Sequence, residues 1–376
     1  MRIAILGAGM VGRAMAIDLA ATHSVTSFDL SEKSLDILGQ KNKEVKTIRA
    51  DLSDHSGYPS LLKDFDYVIS AVPGFMGYRT LEAVIRSRKD VVDISFFPEN
   101  ALELDALAKE NGVTAIVDCG VAPGMGNLIL GYYNERMTIT DFECLVGGLP
   151  KKRIYPFAYK APFSPVDVLE EYTRPARYVE NGHIVTKPAL SDAELIDFDK
   201  VGTLESFNTD GLRSILFKMK HIPNMKEKTL RYPGHIDLMK GLIKAGFLSN
   251  SPVNVKGHAV TPVEFTSALL FDQWKLGETE EEFTLMRIKL GNAETTIQYD
   301  LYDEFDAATQ TSSMSRTTGY TCTAALNMLM AGLFKSKGVF PPELVGNNES
   351  CFRFILDYLA RRGIHYHKTE IKNRVN

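Results

Sequence analysis

Along the first 120 residues the apolar positions come in short blocks, at 3–6, 25–30, 46–52, 67–72, 91–96 and 114–118. Between them lie stretches with the period of an amphipathic helix, at 10–21, 32–41, 60–65, 78–88 and 99–111. Strands that alternate with helices predict a doubly wound α/β domain: a parallel sheet, helices on both faces, and ligands beyond the carboxyl ends of the strands. After residue 122 the pattern changes. A helix at 125–134 leads to a strand at 142–147, and later strands pair through tight turns. One hairpin, 177–186, carries Asn181-Gly182 at its tip; another joins 283–290 to 295–305 around Gly291-Asn292. Helices near 210–218, 233–245 and 262–275 interrupt these strands, so the second domain is expected to be α+β with an antiparallel sheet. Helical periodicity returns from Thr317, at 321–334 and 349–362, in helices expected to pack back on the first domain. The expected division is 1–122, 123–316 and 317–376.

The first strand block runs directly into Gly7-Ala8-Gly9-Met10-Val11-Gly12, a G-x-G-x-x-G between a strand and a helix. In such a Rossmann turn Gly7 permits the bend, Gly9 lets a pyrophosphate approach the backbone, and Gly12 lets the helix pack close to the strand. Free N–H groups at the helix start then face the phosphates, together with Met10 and Val11. The second strand ends near Asp29, where a carboxylate accepts hydrogen bonds from the adenosine ribose hydroxyls and repels a 2′-phosphate. NAD is therefore expected over NADP, a preference that nearby Lys33 weakens. Asp29 also reads as a helix cap or turn residue. By position at strand ends, Asp51 falls near the adenine, Ala71 and Val72 beside the middle of the cofactor, and Ser95, Asp118 and Val121 nearer the nicotinamide. Asp51 reads equally as an ordinary strand-end turn.

Composition narrows the class. The chain has 376 residues, 44% hydrophobic and 24% charged, with net charge −4. That is the profile of a two-domain soluble globular protein, with no electrostatic case for nucleic acid or an anionic membrane. Cys119, Cys144, Cys322 and Cys351 are widely spaced, form no C-x-x-C and no metal-ligand cluster, and read as reduced buried thiols of a cytoplasmic protein. The apolar stretch at 324–334 is too short to span a bilayer. The glycines at 7, 9 and 12 interrupt what would be the apolar core of a signal peptide, so export is not expected.

For the chemistry, Lys228-Thr229-Leu230-Arg231-Tyr232-Pro233-Gly234-His235 places an Arg and a His at a strand-to-helix junction. Oxidising an amine carbon requires an unprotonated nitrogen and hence a base, and a substrate carboxylate suits an Arg fork. His235 is expected to be that base, its proton affinity lowered by the helix N-terminus, with Arg231 as the clamp. The alternatives are a histidine satisfied by a backbone carbonyl and an ordinary Arg ion pair. Lys160, beside Tyr159 in an aromatic-rich loop, is a second candidate base that would need strong desolvation. Tyr159, Arg213 and Arg174 are candidate substrate contacts. Asp210 reads first as a helix cap, as do Thr317 and Thr318. No metal site is expected.

The ordered set Gly7 to Gly12, Asp118-Cys119-Gly120-Val121-Ala122-Pro123-Gly124, Thr229 to His235 and Ser315-Arg316-Thr317-Thr318-Gly319-Tyr320 resembles the saccharopine dehydrogenase-like family over nearly the whole chain. Glu171-Tyr172-Thr173-Arg174-Pro175-Ala176, Asn181-Gly182 and Gly338-Val339-Phe340-Pro341-Pro342-Glu343 are similar to its L-lysine 6-dehydrogenase branch. The resemblance implies a Rossmann domain with a re-entrant C-terminal segment and a homodimer built through the second domain. It also implies NAD-dependent oxidative deamination of the ε-amine of L-lysine, giving 2-aminoadipate 6-semialdehyde, which cyclises to a piperideine carboxylate, with ammonia and NADH. Saccharopine reductase chemistry, with NAD(P)H and a second carboxylate clamp from Arg213 or Arg174, is the alternative within the class. A non-catalytic NAD sensor is the alternative outside it.

Overall fold

The structure is a computed structural model that describes residues 1–373. The N-terminal domain runs β1 (Arg2–Leu6), α1 (Met10–Ala20), β2 (Ser24–Asp29), α2 (Glu32–Lys41), β3 (Lys46–Arg49), α3 (Tyr58–Leu62), β4 (Tyr67–Ser70), α4 (Gly74–Arg86), β5 (Asp90–Asp93), α5 (Asp105–Glu110) and β6 (Thr114–Ile116). Its central strands are buried on both sides, as a sheet covered by helices on two faces requires, while the edge strand β3 is partly exposed. Several strands stop earlier than the apolar blocks suggest, because their last residues turn outward to line the space beyond the sheet.

The second domain follows with α6 (Met125–Asn134), β7 (Asp141–Pro150), α7 (Pro165–Thr173), β8 (Ala176–Glu180), β9 (His183–Lys187), β10 (Glu194–Phe198), β11 (Gly202–Asn208), α8 (Ile215–Lys218), β12 (Asn224–Arg231), α9 (His235–Lys244), β13 (Val253–Val255), β14 (His258–Val260), α10 (Pro262–Trp274), β15 (Glu282–Gly291) and β16 (Thr295–Glu304). The chain closes with α11 (Ser313–Met330), β17 (Gly338–Phe340), α12 (Pro342–Gly346), α13 (Glu349–Ala360) and β18 (Tyr366–Lys372).

The first sheet has the order β17-β6-β5-β4-β1-β2-β3 and is parallel throughout. The order reverses at β1 and β4, the switch point where α/β proteins open a ligand crevice. The second sheet runs β10-β11-β12-β7-β15-β16-β18, with the β8–β9 hairpin attached to β12. It is antiparallel except where β12 lies parallel to β7. Asn181 and Gly182 at the hairpin tip both adopt positive φ, +50° and +80°, as a primed turn demands.

The C-terminal segment differs from its expected all-helical form. α11 packs on α1, where a Cβ on Gly319 would meet Met15 Cγ at 3.1 Å. β17 extends the parallel sheet and β18 extends the mixed one, so the segment ties both domains together. α11 also starts earlier than its apolar periodicity. Ser312, not Thr317 or Thr318, is its cap, accepting from the Ser315 amide at 3.3 Å. Thr317 and Thr321 lie inside the helix and donate back to the carbonyls of Ser313 and Thr317, at 2.9 and 2.7 Å. The helix expected from Asp210 begins only at Ile215, because Arg213 takes a left-handed φ of +48° and breaks it.

Candidate active site

A cleft of about 990 Å³ opens at the switch point and continues into the second domain. Its nucleotide end is built by the β1–α1 turn. Gly7 has φ +112°, and a Cβ there would lie 2.5 Å from the Ala71 carbonyl oxygen. A Cβ on Gly12 would overlap the Gly7 carbonyl, whereas one on Gly9 would meet nothing within 4 Å. The first and third glycines are thus fixed by packing, and the second leaves the room a diphosphate needs. Asp29 closes this end: Oδ2 accepts from the Ala8 amide at 2.7 Å and Oδ1 from the Ser31 amide at 2.8 Å. Both oxygens keep further lone pairs directed at the cleft. Asp51 also lines it, held by the Ser53 amide at 2.9 Å and hydroxyl at 2.6 Å, so the turn role and the cleft role coincide. Gly7, Gly9, Met10, Val11, Gly12, Asp29, Asp51, Ala71, Val72, Ser95 and Val121 all line one continuous wall. The cradle fits a dinucleotide.

Ser95 is fixed from behind. It donates from Oγ to Asp93 Oδ1 at 2.8 Å and from its amide to Oδ2 at 3.2 Å. Asp93 has no exposure, and burial pushes its carboxyl up to about 7. Asp118, expected to contact the cofactor, does not line the cleft. Its Oδ1 accepts from Arg213 Nε at 2.7 Å, and Arg213 Nη1 donates to the Phe97 carbonyl at 2.6 Å. Arg213, expected on the substrate, is spent on this pair and is likewise absent from the lining. The physical reason is common to both: each is over nine-tenths buried, and a buried charge needs a fixed partner.

At the other end, Tyr159, Arg174 and Arg231 line the cleft as expected. Arg231 is 2% exposed and heavily engaged. Nε donates to Tyr172 Oη at 2.9 Å, Nη1 to the Leu230 carbonyl at 3.0 Å, and Nη2 to Glu171 Oε2 at 2.7 Å. Its guanidinium also stacks 4.3 Å from the Tyr159 ring centre. His235 stands behind this layer, outside the lining. Its Nδ1 lies 2.9 Å from the Phe157 carbonyl and must donate to it, so Nε2 accepts from Tyr172 Oη at 3.0 Å. Burial first, then the Arg231 charge, pushes the imidazole down to about 3. The expected lowering is present, yet its cause is burial rather than the helix end, and both nitrogens are occupied away from the cleft. Lys160 also points away: Nζ donates to the Lys275 carbonyl at 3.2 Å and lies 3.9 Å from Glu280.

None of the acids of this end was singled out from the sequence as a cleft residue, and Asp210, expected as a helix cap, accepts from Arg177 instead, Ser214 preceding the helix. Asp167, Glu170, Glu171, Asp210 and Glu227 all line this end. Glu170 pairs with Arg174 at 2.5 Å, Glu171 with Arg231, and Asp210 with Arg177 at 2.8 Å. Burial pushes Asp167 up to about 6 and Glu227 up to about 8, the latter reinforced by Glu171 and Asp210. A signal for Glu227 was present. Side chains on a strand alternate, so the clamp candidate Arg231 shares its face with Thr229 and Glu227, and all three line the cleft.

The chain matches the family model described as Saccharopine dehydrogenase C-terminal domain over residues 120–364, and Saccharopine dehydrogenase NADP binding domain over residues 3–116. It is 27% identical over 203 residues to the mitochondrial alpha-aminoadipic semialdehyde synthase of Mus musculus, covering 50% of this chain and 22% of that protein. It is 28% identical over 268 residues to saccharopine dehydrogenase [NADP(+), L-glutamate-forming] of Saccharomyces cerevisiae, covering 66% and 58%. The matched part thus spans about a fifth of the length of the mouse protein and under two thirds of the yeast one. The apo structure of histidine-tagged saccharopine dehydrogenase (L-Glu forming) from Saccharomyces cerevisiae superposes with a TM-score of 0.79 at 22% identity, covering 98% of this chain and 99% of that one, and shares its fold. The chain belongs to the saccharopine dehydrogenase family, a family of oxidoreductases with a nucleotide-binding domain.

Proposed function

We propose that this member of the saccharopine dehydrogenase family is an NAD-dependent dehydrogenase that oxidatively deaminates the ε-amine of L-lysine. The products are 2-aminoadipate 6-semialdehyde, which cyclises to a piperideine carboxylate, together with ammonia and NADH. The observation that carries the reading is the charge inventory of the substrate end. Five carboxyl groups line this end beside Arg174, Arg231 and Lys275, and Arg177 pairs with Asp210 from outside the lining. Three of the acids are paired, and Asp167 and Glu227 have no cation within ion-pair distance among the described residues. Lysine brings two ammonium groups and one carboxylate, and its ammonium groups suit the two acids left without a cation. Saccharopine brings three carboxylates, for which Arg231 and Arg213 are already committed.

A nicotinamide dinucleotide in the glycine cradle supplies the hydride acceptor. The protein's own residues hold it and prepare the amine. Asp29 favours NAD, since an ionised carboxylate there repels a 2′-phosphate. Lys275 and the free edge of Arg174 are the groups suited to the lysine carboxylate, while the Tyr159 and Phe163 rings and Met314 give the alkyl chain an apolar wall.

The reading is tested by following NADH formation with L-lysine, saccharopine and other ω-amino acids, each with NAD and NADP. L-Lysine with NAD is expected to give the highest kcat/KM. Turnover of saccharopine in its place would favour the second reading, saccharopine dehydrogenase activity, which the yeast relative's name supports.

A further inference from the structure

Glu227 is the one acid of the substrate end that is deeply buried and left without a donor. It is 6% exposed and lines the cleft. Only burial and neighbouring charges act on its carboxyl, with no hydrogen bond from any described residue. Its strand neighbours are settled: Thr229 Oγ1 lies 3.0 Å from Thr209 Oγ1, and Arg231 is held as described. Space for the carboxyl exists because residue 211 is glycine, where a Cβ would overlap the Glu227 oxygens. Its carboxyl reaches the cleft surface with no protein donor on it, so the place of a donor is open to a ligand N–H.

We propose that Glu227 accepts a proton from the primary ammonium group of the substrate. This rests on the amine-oxidising reading above and names the residue that reading lacks. The N–H bond breaks and leaves its electron pair on nitrogen, and an O–H bond forms on the carboxylate. That free pair is what would let a bound nicotinamide take hydride from the adjacent carbon, leaving an iminium open to hydrolysis by water. Glu171 on α7, Asp210 in the loop between β11 and α8, and Asp118 from the nucleotide domain face Glu227 and raise its proton affinity, and Arg213 lowers it. The Cys144 thiol on β7 faces it as well. An ordinary Glu carboxylate and a Lys ammonium differ in proton affinity by a factor of about 10⁶. Burial and the facing acids narrow that gap in the free protein, where Glu227 lies near 8, and the bound ammonium then favours the ionised carboxylate that takes the proton.

The test compares wild type with Glu227→Gln and Glu227→Asp. L-Lysine is titrated into the NADH-loaded protein by calorimetry at pH 7, in two buffers of different ionisation enthalpy. Wild type is expected to release about one proton per lysine bound, as the neutral carboxyl ionises opposite the ammonium, and Glu227→Gln none. In turnover, Glu227→Gln is expected to lose about 10² to 10⁴ in kcat with a smaller change in KM. The rising limb of log kcat against pH should go with it, and Glu227→Asp should keep that limb. Equal proton release, or a Glu227→Gln variant with unchanged kcat and the same limb, overturns the assignment while leaving amine oxidation intact. A wild type that neither binds L-lysine nor oxidises any primary amine overturns the reading beneath it, and the assignment with it.

Discussion

Asp118 and Arg213 neutralise each other across the seam between the two domains, at 2.7 Å and over nine-tenths buried. Both occupy the left-handed backbone region, at φ +53° and +48°. Such backbone costs about 1–3 kcal/mol per residue and persists only where surroundings enforce it. The guanidinium also lies 4.9 Å from the Phe96 ring centre, and Phe96 lines the cleft. The pair therefore sets how the two walls of the cleft stand to one another. Arg213→Ala is expected to lower stability by about 3–5 kcal/mol, since it leaves a carboxylate buried alone. Urea unfolding of the free protein measures this. Unchanged stability combined with a raised KM would return Arg213 to the substrate.

Asp29 sets the proposed cofactor preference. Asp29→Asn keeps an acceptor for one backbone amide and removes the charge. Arg49 pairs in register with Asp29 on β3, lying 3.3 Å from the Leu30 carbonyl and 3.2 Å from Glu32. A neutral residue at 29 leaves that cation to act on a 2′-phosphate. The ratio of NADPH to NADH dissociation constants, read by fluorescence titration, is expected to fall at least about tenfold, the scale of one charge-assisted hydrogen bond or more. An unchanged ratio would exclude Asp29 from discrimination.

His235 acts through two intermediaries. Its Nε2 accepts a hydrogen bond from Tyr172 Oη, which leaves that oxygen as acceptor for Arg231 Nε. His235→Ala removes the element that orients this chain. The expected result is a raised KM for the amine, kcat within about fivefold of wild type, an unmoved pH profile, and a stability loss of about 1–3 kcal/mol from the unsatisfied groups. A large fall in kcat together with loss of a pH limb would make His235 the base.

The glycine turn, Asp29 and the alternation of the first domain were legible because each obeys a local rule: strand, turn, helix, acid. Asp118 and Arg213 misled for the same reason. Each sits at an element end where ligands gather, yet their pairing depends on residues 95 positions apart. β17 gives no readable period because it has three residues and Pro341-Pro342 follow it at once, and β18 gives none because its alternation is carried by charged and polar side chains at an edge. Glu227 was hidden between Lys226 and Lys228, where a run of charges reads as a solvated strand. In the fold Lys228 turns the other way, to the Asp192 carbonyl and Glu194.

Stability should depend on pH in a direction set by buried acids. Burial pushes Asp93 and Glu343 up to about 7, and Glu227 and Glu282 up to about 8. In the unfolded chain such groups ionise near 4. Between about 4.5 and 8 the folded state therefore holds more protons than the unfolded state, and stability falls as pH rises. His235 acts in the opposite sense, being neutral when folded and charged when unfolded, but only between about 3 and 6.5. Above pH 6.5 the acids act without that opposition. The Tm of the free protein is thus expected to fall from pH 6.5 to 8.5. Glu282 gives the sharpest test: one oxygen accepts from the Ser313 amide, and the other is buried with no partner. Glu282→Gln keeps the shape and removes the ionisation. It should reduce the slope of unfolding free energy between pH 7 and 8 by up to about 1.4 kcal/mol per pH unit. A Tm that climbs over this interval, or a Glu282→Gln slope equal to that of wild type, would show that these carboxyls are already ionised in the folded protein.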